Sequence, residues 1–425
     1  MKLVVERSSL NGTVRVPGSK SHTIRALAIA SLADGRSTLR APLDSLDTRS
    51  CTRVCSGLGA RITEEGADWA VEGTAGQPAC PHNVLDVGNS GTTLRVAMGM
   101  AALGSGWTVL TGDEQIRSRP AEPLVGALRA AGAVAFSTRG SGLAPFVIRG
   151  PMQGGTIALE CPTSQYLTSL LIACPLAAGD TEIAVVKLNE SPYVEMTLAW
   201  LDSQGIRCER DGLRHFRVPG GQAYHAFEKP IPGDYSSATF FLCAAAATGS
   251  EITLLGLDPA DTQGDKAVVD MLGAMGAEVE WLPDGVRLRG RGLTGGEFDL
   301  NATPDALPAM AVAAALASGE TRLVNVPQAR IKECDRILVM RQELAKMGGQ
   351  VDELPDGLVV RGGTLHGARV DGHGDHRVVM ALAVAGMAAD GHTEVAGAEA
   401  AAITFPTFAE LMTSLGARIC QEQTG

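Results

Sequence analysis

Residues 272–279 read Leu272-Gly-Ala-Met-Gly-Ala-Glu-Val279, and variants of this octapeptide end a predicted helix at six places in the chain. The marker glycines, spaced 68–73 residues apart, are Gly59, Gly132, Gly205, Gly276, Gly348 and Gly416. Each stands where the C-terminus of a helix needs a left-handed residue, and a β-rich segment follows it. The octapeptide therefore predicts a structural unit that the chain repeats six times.

A second series of glycines is interleaved with the first. Each member ends an Ala/Leu-rich helix and precedes a Thr-containing apolar strand, and the series is Gly35, Gly106, Gly179, Gly249, Gly319 and Gly391. Chance matches in a glycine-rich chain would not keep step in this way. The two series predict repeats of about seventy residues, each with two helices and several strands, gathered into a few compact domains.

Composition narrows the class of protein. The chain has 425 residues, which suggests about two to four domains. Its 36 Lys and Arg against 47 Asp and Glu give a net charge of −11, which disfavours coating of nucleic acid or of an anionic membrane. The nine cysteines form no C-x-x-C pair, although Cys51 and Cys55 could share a helix face. We expect reduced thiols and a soluble, cytoplasmic protein.

The segments before the second-series helices carry polar capping residues. They are Gly18-Ser-Lys-Ser, Gly88-Asn-Ser-Gly-Thr-Thr, Pro162-Thr-Ser-Gln, Gly233-Asp-Tyr-Ser-Ser, Thr303-Pro-Asp and Gly374-Asp-His-Arg. A helix N-terminus favours anions, although plain capping explains most such starts. Several of these starts also carry a cation or an amide, namely Lys20, Arg25, Arg95, Gln165, His376 and Arg377. If the repeats are pseudo-symmetric, these ends face one cleft.

Two further motifs point away from nucleotide and metal binding. Gly18-Ser-Lys-Ser21 lacks the spacing of a P-loop, because only Ser19 separates Gly18 from Lys20. His373-x-x-His376 lies beside Asp371 and Asp375, but no second ligand pair accompanies it. We expect no metal ion.

Glu333 has two interpretations. The segment 331–336 is predicted to open a helix with the apolar stripe Ile337, Met340, Leu344 and Met347, and this stripe extends back to Glu333. A shielded carboxylate would have a raised pKa and suit a proton donor. Alternatively, Glu333 lies in solvent in a frayed first turn and forms an i,i+3 ion pair with Arg336. The residue pattern alone favours neither.

Taken together, these segments resemble the 5-enolpyruvylshikimate-3-phosphate synthase family. The stretches that carry the resemblance occur in the family's order over nearly the whole chain. They are Pro17-Gly-Ser-Lys-Ser-His-Thr-Ile-Arg-Ala-Leu, Gly88-Asn-Ser-Gly-Thr-Thr-Leu-Arg, Arg117-Ser-Arg-Pro, Thr163-Ser-Gln, Gly233-Asp-Tyr-Ser-Ser-Ala, Pro304-Asp-Ala-Leu-Pro, Arg330-Ile-Lys-Glu-Cys-Asp-Arg and Asp375-His-Arg. Each stretch alone is weak, whereas eight in order form a specific signal.

The resemblance implies an α/β fold of two similar domains, each with three βαβαββ repeats around a pseudo-threefold axis, an inside-out α/β barrel. One domain would comprise residues 19–231. The other would be discontinuous, with residues 1–18 and 232–425, and the chain would cross near Pro17 and Pro232. The active site would lie in the cleft between the domains. Most of the shikimate 3-phosphate site would belong to the inserted domain and the proton-transfer carboxylates to the other.

The resemblance also implies a reaction. The family transfers the enolpyruvyl group of phosphoenolpyruvate to the 5-hydroxyl of shikimate 3-phosphate through a tetrahedral adduct and releases phosphate, a step of chorismate and aromatic amino acid biosynthesis. Both substrates are anions that need several cations and helix N-termini. The family needs no cofactor or metal. The resemblance further suggests a monomer that glyphosate inhibits by competing with phosphoenolpyruvate.

Residue roles follow from motif positions. Asp305 resembles the family's proton acceptor and Glu333 its proton donor, and Lys20 belongs with them as a catalytic residue. The positions that resemble shikimate 3-phosphate contacts are Ser21, Arg25, Thr163, Ser164 and Lys332. Those that resemble phosphoenolpyruvate contacts are Lys20, Gly91, Arg119, Gln165, Arg336 and Arg377, and Lys20 and Gln165 are expected to touch both substrates.

The chain departs from the family pattern at several positions. Thr163 replaces a common serine, Gln328 stands where some members have asparagine, and no lysine precedes Phe405-Pro406. Glu190-Ser191-Pro-Tyr stands where some members place a phosphate-contacting serine before Pro-Tyr, which makes Ser191 a candidate substitute.

Two alternative functions stay open at this stage. One is UDP-N-acetylglucosamine enolpyruvyl transferase, which has the same fold and usually carries a reactive cysteine five residues before the arginine of its Arg-Pro pair; here that position is Glu114. The other is a non-catalytic anion-binding protein of this fold, against which Asp305 and Glu333 argue.

Overall fold

A computed structural model of the chain describes residues 1–423. Twelve α-helices lie in this range: α1 (Lys20–Leu32), α2 (Leu46–Gly57), α3 (Gly91–Ala101), α4 (Glu122–Ala130), α5 (Gln165–Ala173), α6 (Ser191–Ser203), α7 (Tyr235–Thr248), α8 (Ala267–Ala274), α9 (Leu307–Ala315), α10 (Arg336–Lys346), α11 (His376–Ala388) and α12 (Phe408–Ser414).

The same range contains 24 strands. They are β1 (Lys2–Glu6), β2 (Asn11–Arg15), β3 (Arg36–Arg40), β4 (Arg61–Glu65), β5 (Asp68–Glu72), β6 (Leu85–Asp86), β7 (Thr108–Thr111), β8 (Val134–Ser137), β9 (Phe146–Arg149), β10 (Gly155–Cys161), β11 (Thr181–Leu188), β12 (Glu209–Asp211), β13 (His215–Val218), β14 (Glu228–Pro230), β15 (Glu251–Leu255), β16 (Glu278–Leu282), β17 (Gly285–Arg289), β18 (Glu297–Asp299), β19 (Glu320–Val324), β20 (Gln350–Leu354), β21 (Gly357–Arg361), β22 (Arg369–Asp371), β23 (His392–Ala396) and β24 (Arg418–Glu422).

The chain divides into two units. Unit 1 joins Met1–Pro17 with the chain from Pro232 onward, and unit 2 is Gly18–Ile231. Each unit has its own hydrophobic core. The roles expected for the two domains, and the cleft between them, stay predictions.

Each repeat builds one four-stranded sheet. The strand orders in unit 2 are β14-β3-β5-β4, β6-β7-β9-β8 and β10-β11-β13-β12, and those in unit 1 are β2-β15-β17-β16, β18-β19-β21-β20 and β22-β23-β1-β24. In every sheet the first two strands are parallel and the other pairings are antiparallel. A parallel pair needs a crossover, whereas an antiparallel pair can follow a short turn. In four of the six sheets a single helix supplies this crossover: α3, α5, α9 or α11. The predicted βαβαββ repeat is confirmed.

Distant segments complete three of the sheets. β1 lies between β23 and β24, with Leu3 opposite Val395. β2 pairs in parallel with β15, and β14 pairs in parallel with β3. The N-terminal strands therefore belong to unit 1 although the next two hundred residues form unit 2.

In each repeat, the helix that directly precedes the second strand of the parallel pair is almost entirely buried. In α7 every residue from 235 to 246 is buried, and in α11 every residue from 376 to 387 is buried. A helix that is apolar all round belongs in the centre of a core rather than on its surface. In unit 1 the three such helices, α7, α9 and α11, pack against one another, as a pseudo-threefold arrangement requires.

The marker glycines end helices as predicted. All six have a positive φ, between 68° and 109°. A residue with a β-carbon is strained in this region, whereas glycine is not. In each repeat the glycine therefore lets the chain leave the second helix and enter the antiparallel strands.

Gly362 and Gly363 differ in how closely other backbone atoms of their repeat approach them. A β-carbon on Gly362 would lie 1.4 Å from the carbonyl oxygen of Ala317, while one on Gly363 would meet no atom outside its immediate neighbours within 4 Å. We predict that Gly362→Ala lowers the free energy of unfolding by roughly 3 kcal/mol, because backbone cannot move aside as a side chain can. The control, Gly363→Ala, should change it by about 0.5 kcal/mol at most. Urea unfolding of both variants is the measurement, and equal stabilities would contradict the packing described.

Candidate functional site

The N-termini of the inner helices carry most of the residues that the sequence singles out. Ser19, Ser90, Asp234 and Asp375 cap α1, α3, α7 and α11, each accepting a hydrogen bond from an amide of its own helix. Because every repeat places its inner helix in the same way, the equivalent N-termini of one unit lie at the same end of that unit. Each unit therefore has its own group of site residues.

In unit 1, a buried arginine gathers three carboxylates. Arg336, the first residue of α10, is only 1% exposed. Its Nη1 donates to Asp305 Oδ1 at 2.7 Å, and its Nη2 donates to Glu333 Oε2 at 2.6 Å. Its Nε donates to Asp375 Oδ2 at 2.7 Å. All three nitrogens of the guanidinium therefore have a carboxylate partner.

Arg377 extends this group from the first turn of α11. Its Nη2 donates to Asp305 Oδ2 at 2.9 Å, and its Nη1 donates to Ser236 Oγ, in α7, at 2.6 Å. Asp375 Oδ1 accepts from the Arg377 backbone amide at 2.8 Å, and Lys332 Nζ lies 3.9 Å from Asp305 Oδ1. We call these residues the Arg336 cluster: Asp305, Lys332, Glu333, Arg336, Asp375 and Arg377.

The cluster is nearly balanced in charge, with three carboxylates against three cations. Burial acts to lower the pKa of the Arg336 guanidinium, but Asp375, Glu333 and Asp305 outweigh burial and hold that pKa well above its usual range. A buried charge is tolerated when it is paired and fully hydrogen-bonded, as it is here. The cluster is therefore a rigid group in which Asp305 and Glu333 are held in fixed positions.

Glu333 combines features of both interpretations considered from the sequence. The prediction that residues 331–336 open a helix is wrong: α10 begins at Arg336, because Asp335 Oδ1 caps it by accepting from the Leu338 amide. Glu333 therefore precedes the helix, although the stripe Ile337, Met340, Leu344 and Met347 is buried as expected. Its side chain is 11% exposed and forms the i,i+3 ion pair with Arg336. Glu333 is thus both shielded from water and paired.

In unit 2, three of the predicted phosphoenolpyruvate contacts lie together. A β-carbon on Gly91 would lie 2.8 Å from Arg95 Nη1, 2.9 Å from Arg119 Nη1 and 3.7 Å from Gln165 Oε1. The missing β-carbon thus leaves space beside two guanidinium groups and an amide. Gln165 Nε2 also donates to Thr92 Oγ1 at 3.2 Å, which ties the start of α5 to the start of α3.

Lys20, at the start of α1, has a buried carboxylate partner. Its Nζ lies 3.3 Å from Asp47 Oδ2, and the Asp47 side chain is 5% exposed. Asp47 lies in the first turn of α2. Cys51 and Cys55 lie one and two turns after Asp47 in α2 and share its helix face. Their sulfur atoms are 3.9 Å apart, as the sequence spacing indicates. Asp47 therefore orients the Lys20 ammonium from inside the unit.

Arg25 is a buried cation whose hydrogen bonds go to neutral oxygens. It donates to Thr197 Oγ1 at 2.9 Å, to the Tyr193 carbonyl at 2.8 Å, to Thr168 Oγ1 at 3.2 Å and to the Ser21 carbonyl at 3.0 Å. Burial lowers the pKa of Arg25 to about 10. The guanidinium is still charged at neutral pH, so an anion bound beside it would gain a desolvated positive partner.

Thr163 and Ser164, which precede α5, share one acceptor. Glu190 Oε2 accepts from the Thr163 hydroxyl at 3.0 Å, from the Ser164 amide at 3.0 Å and from the Ser164 hydroxyl at 2.9 Å. Glu190 therefore reaches this pair from the residue before α6. Ser191 begins α6, and its role as a phosphate contact stays a prediction.

Three residues that shape the site were not among those predicted for it. In the sequence, Asp375 stands out only as part of a motif, Asp47 belongs to no motif, and Glu190 stands out only as a departure from the family pattern. Asp375 could have been found as the N-cap of α11. The contacts of Asp47 and Glu190 join segments more than twenty residues apart in sequence, and no local spacing marks them.

Neither a group of metal ligands nor a membrane-spanning helix is found within residues 1–423. His373 Nε2 lies 2.9 Å from Glu343 Oε1, and His376 is buried. Within residues 1–423, no group of three or more His, Cys, Asp or Glu side chains is arranged to hold a metal ion. In the same range no helix is long and apolar enough to cross a membrane. The absence of a metal from the reaction stays a prediction.

Comparison with known proteins gives a consistent result. The model of the EPSP synthase (3-phosphoshikimate 1-carboxyvinyltransferase) family matches residues 4–412. A 3-phosphoshikimate 1-carboxyvinyltransferase of Ruminiclostridium cellulolyticum is 51% identical over 419 residues, and one of Acetivibrio thermocellus is 53% identical over 419 residues. Each alignment covers 99% of this chain and 99% of the relative. A solved EPSP synthase from Acinetobacter baumannii has a TM-score of 0.84 at 27% identity, covering 99% of this chain and 100% of that one.

The Arg336 cluster yields a stability prediction. Arg336→Met leaves three carboxylates without their shared buried cation, so we expect a loss of about 3–5 kcal/mol in the free energy of unfolding. The control is Arg341→Met, the same change at an exposed position of α10; it should cost about 0.5 kcal/mol or less. Urea unfolding measures both. A similar effect from the two variants would show that Arg336 does not organise the cluster.

Proposed function

The chain belongs to the EPSP synthase family, and from this premise we propose that it transfers the enolpyruvyl group of phosphoenolpyruvate to the 5-hydroxyl of shikimate 3-phosphate. The observation that carries the proposal is the match of the whole chain to relatives named 3-phosphoshikimate 1-carboxyvinyltransferase. The product would enter chorismate and aromatic amino acid biosynthesis. The test is phosphate release with both substrates present and with each omitted; release that does not require shikimate 3-phosphate would refute the proposal.

In the proposed mechanism, two residues of the Arg336 cluster carry out the proton transfers. The hydroxyl oxygen of shikimate 3-phosphate attacks C2 of phosphoenolpyruvate and gives up its proton, while the methylene carbon gains one, which forms a tetrahedral adduct. Loss of a proton from the new methyl group and departure of phosphate then restore the double bond. Glu333 is the proposed proton donor and Asp305 the proposed acceptor. Their fixed positions support these roles, because proton transfer requires a group within hydrogen-bond reach.

The cations are proposed to bind the two substrates. Lys20, Arg119, Arg336 and Arg377 would face phosphoenolpyruvate together with Gly91 and Gln165, and Lys20 would also stabilise the charge that develops on the departing phosphate. Ser21, Arg25, Thr163, Ser164 and Lys332 would face shikimate 3-phosphate. Arg25 supports this assignment, because an anion would offset the desolvation that lowers its pKa. The proposal requires that residues of both units act on the same pair of substrates.

The alternative functions have less support. Relatives similar over the whole chain carry the name 3-phosphoshikimate 1-carboxyvinyltransferase, which favours neither the UDP-N-acetylglucosamine enzyme nor a non-catalytic protein. The proposal also includes a monomeric enzyme of the cytoplasm that works without a cofactor and is inhibited by glyphosate.

The effect of Asp305 and Glu333 on turnover should be separable from substrate binding. We predict that Asp305→Asn and Glu333→Gln each lower turnover by about 10²–10⁴-fold, the usual effect of a positioned acid or base. Shikimate 3-phosphate should still bind, because the hydroxyls and Arg25 of unit 2 are untouched. Turnover, binding and melting temperature are measured for each variant. The control Asp352→Asn breaks an exposed ion pair with Arg361 and should leave turnover unchanged.

An opposite pattern would count against these roles. Near-normal turnover in both variants, or a loss of affinity alone, would make the two carboxylates binding or structural groups.

Gly91 should leave space for a ligand beside the cations that are proposed to bind phosphoenolpyruvate. The methyl group of Gly91→Ala would point at the guanidinium groups of Arg95 and Arg119. We predict that this variant weakens inhibition by glyphosate more than it raises KM for phosphoenolpyruvate, because the longer ligand needs more of that space. Gly126→Ala, where a β-carbon meets no other atom within 4 Å, is the control. An equal loss for both ligands would show that Gly91 only relieves a tight turn.

A further inference from the structure

Glu190 places a buried negative charge at the N-terminus of α5. The residue is 2% exposed and has a φ of +60°, at the junction of β11 and α6. One of its carboxylate oxygens accepts all three hydrogen bonds from Thr163 and Ser164, at 2.9–3.0 Å. Three converging donors, one of them a backbone amide at a helix start, are a typical anion site.

The start of α5 differs from the equivalent starts in unit 2. The Ser19 and Ser90 hydroxyls accept from the third residue of their own helices, α1 and α3. The Ser164 hydroxyl instead donates to the Glu190 carboxylate, as does the Ser164 amide. At this helix both polar groups of the capping residue therefore serve an anion that comes from outside the helix.

We propose that Glu190 is an internal competitor for the phosphate group of shikimate 3-phosphate. The inference rests on the proposed function, which assigns Thr163 and Ser164 to that substrate. Hydroxyl and amide donors at a helix start suit the phosphate group of this substrate, and two anions cannot share them without strong repulsion. Glu190 therefore gives up these hydrogen bonds when the substrate binds.

Such a competitor acts on the phosphorylated acceptor alone. A phosphate monoester carries a charge of about −1.5 to −2 at neutral pH and can replace a carboxylate at these donors. The hydroxyl of unphosphorylated shikimate carries no charge, so it leaves Glu190 in place. Glu190 thus lowers the affinity for shikimate 3-phosphate and leaves the affinity for shikimate unchanged.

Two substitutions at Glu190 and one control test the proposal. Glu190→Gln removes the charge and keeps the size, while Glu190→Asn also shortens the side chain and tolerates the left-handed backbone. The control, Glu195→Gln, removes the same charge from α6 at a partly exposed position, where Glu195 pairs with Arg210. Isothermal titration measures the Kd of shikimate 3-phosphate and of shikimate for each protein, and calorimetry measures the melting temperature.

We expect both Glu190 variants to bind shikimate 3-phosphate about tenfold or more tightly than the wild type, and the control to be unchanged. The affinity for shikimate should stay the same in all four proteins. Weaker binding of shikimate 3-phosphate by both Glu190 variants, with or without a lower melting temperature, would overturn the proposal and make Glu190 a substrate contact or a structural brace. Tighter binding of both ligands would also overturn it, because the effect would not depend on the phosphate.

The same proteins separate this inference from the proposed function. Phosphate release from phosphoenolpyruvate and shikimate 3-phosphate is measured with the wild type in parallel. Release without tighter binding by the Glu190 variants would refute the competitor alone. No release by the wild type would refute the proposed function, and the competitor with it.

Discussion

The hydrogen bonds of the Arg336 guanidinium hold the candidate site of unit 1 together. It is buried and bonded to Asp305, Glu333 and Asp375, so one side chain fixes the positions of three carboxylates. Asp375 in turn caps α11, and α11 carries Arg377 back to Asp305. The hydrogen bonds form a closed ring, in which no member moves without disturbing the others. A rigid ring of this kind suits proton transfer, which tolerates little error in position.

The sixfold repeat explains why this ring can form at all. Each repeat buries almost all of one helix, which leads into the second strand of a parallel pair, so its N-terminus reaches the same end of the unit every time. Site residues at that end come from different repeats: Ser236 lies in the first turn of α7, Asp305 precedes α9, and Arg377 lies in the first turn of α11. In unit 2 the starts of α1, α3 and α5 contribute in the same way. Six similar repeats thus supply a varied set of polar side chains without any change in the frame.

The repeat architecture was predictable from sequence because the constraints on it are local. A glycine at a helix end must adopt a positive φ, so the six glycines mark six repeats, and the N-caps mark where the inner helices begin. The environment of Glu333 was less predictable. The apolar stripe suggests that α10 starts before Glu333, whereas the Asp335 cap makes α10 start at Arg336. The contacts of Asp47 and Glu190 had no signal, since they form between segments that only the fold brings together.

Family membership and the site residues together assign to this chain the joining of an enolpyruvyl group to the 5-hydroxyl of shikimate 3-phosphate. The most direct measurement supplies phosphoenolpyruvate with equal amounts of shikimate 3-phosphate and UDP-N-acetylglucosamine and identifies the products by mass spectrometry. The account predicts that the enolpyruvyl group is found on shikimate 3-phosphate alone, with one phosphate released for each adduct. An adduct on the sugar nucleotide, or phosphate released without any adduct, would contradict it.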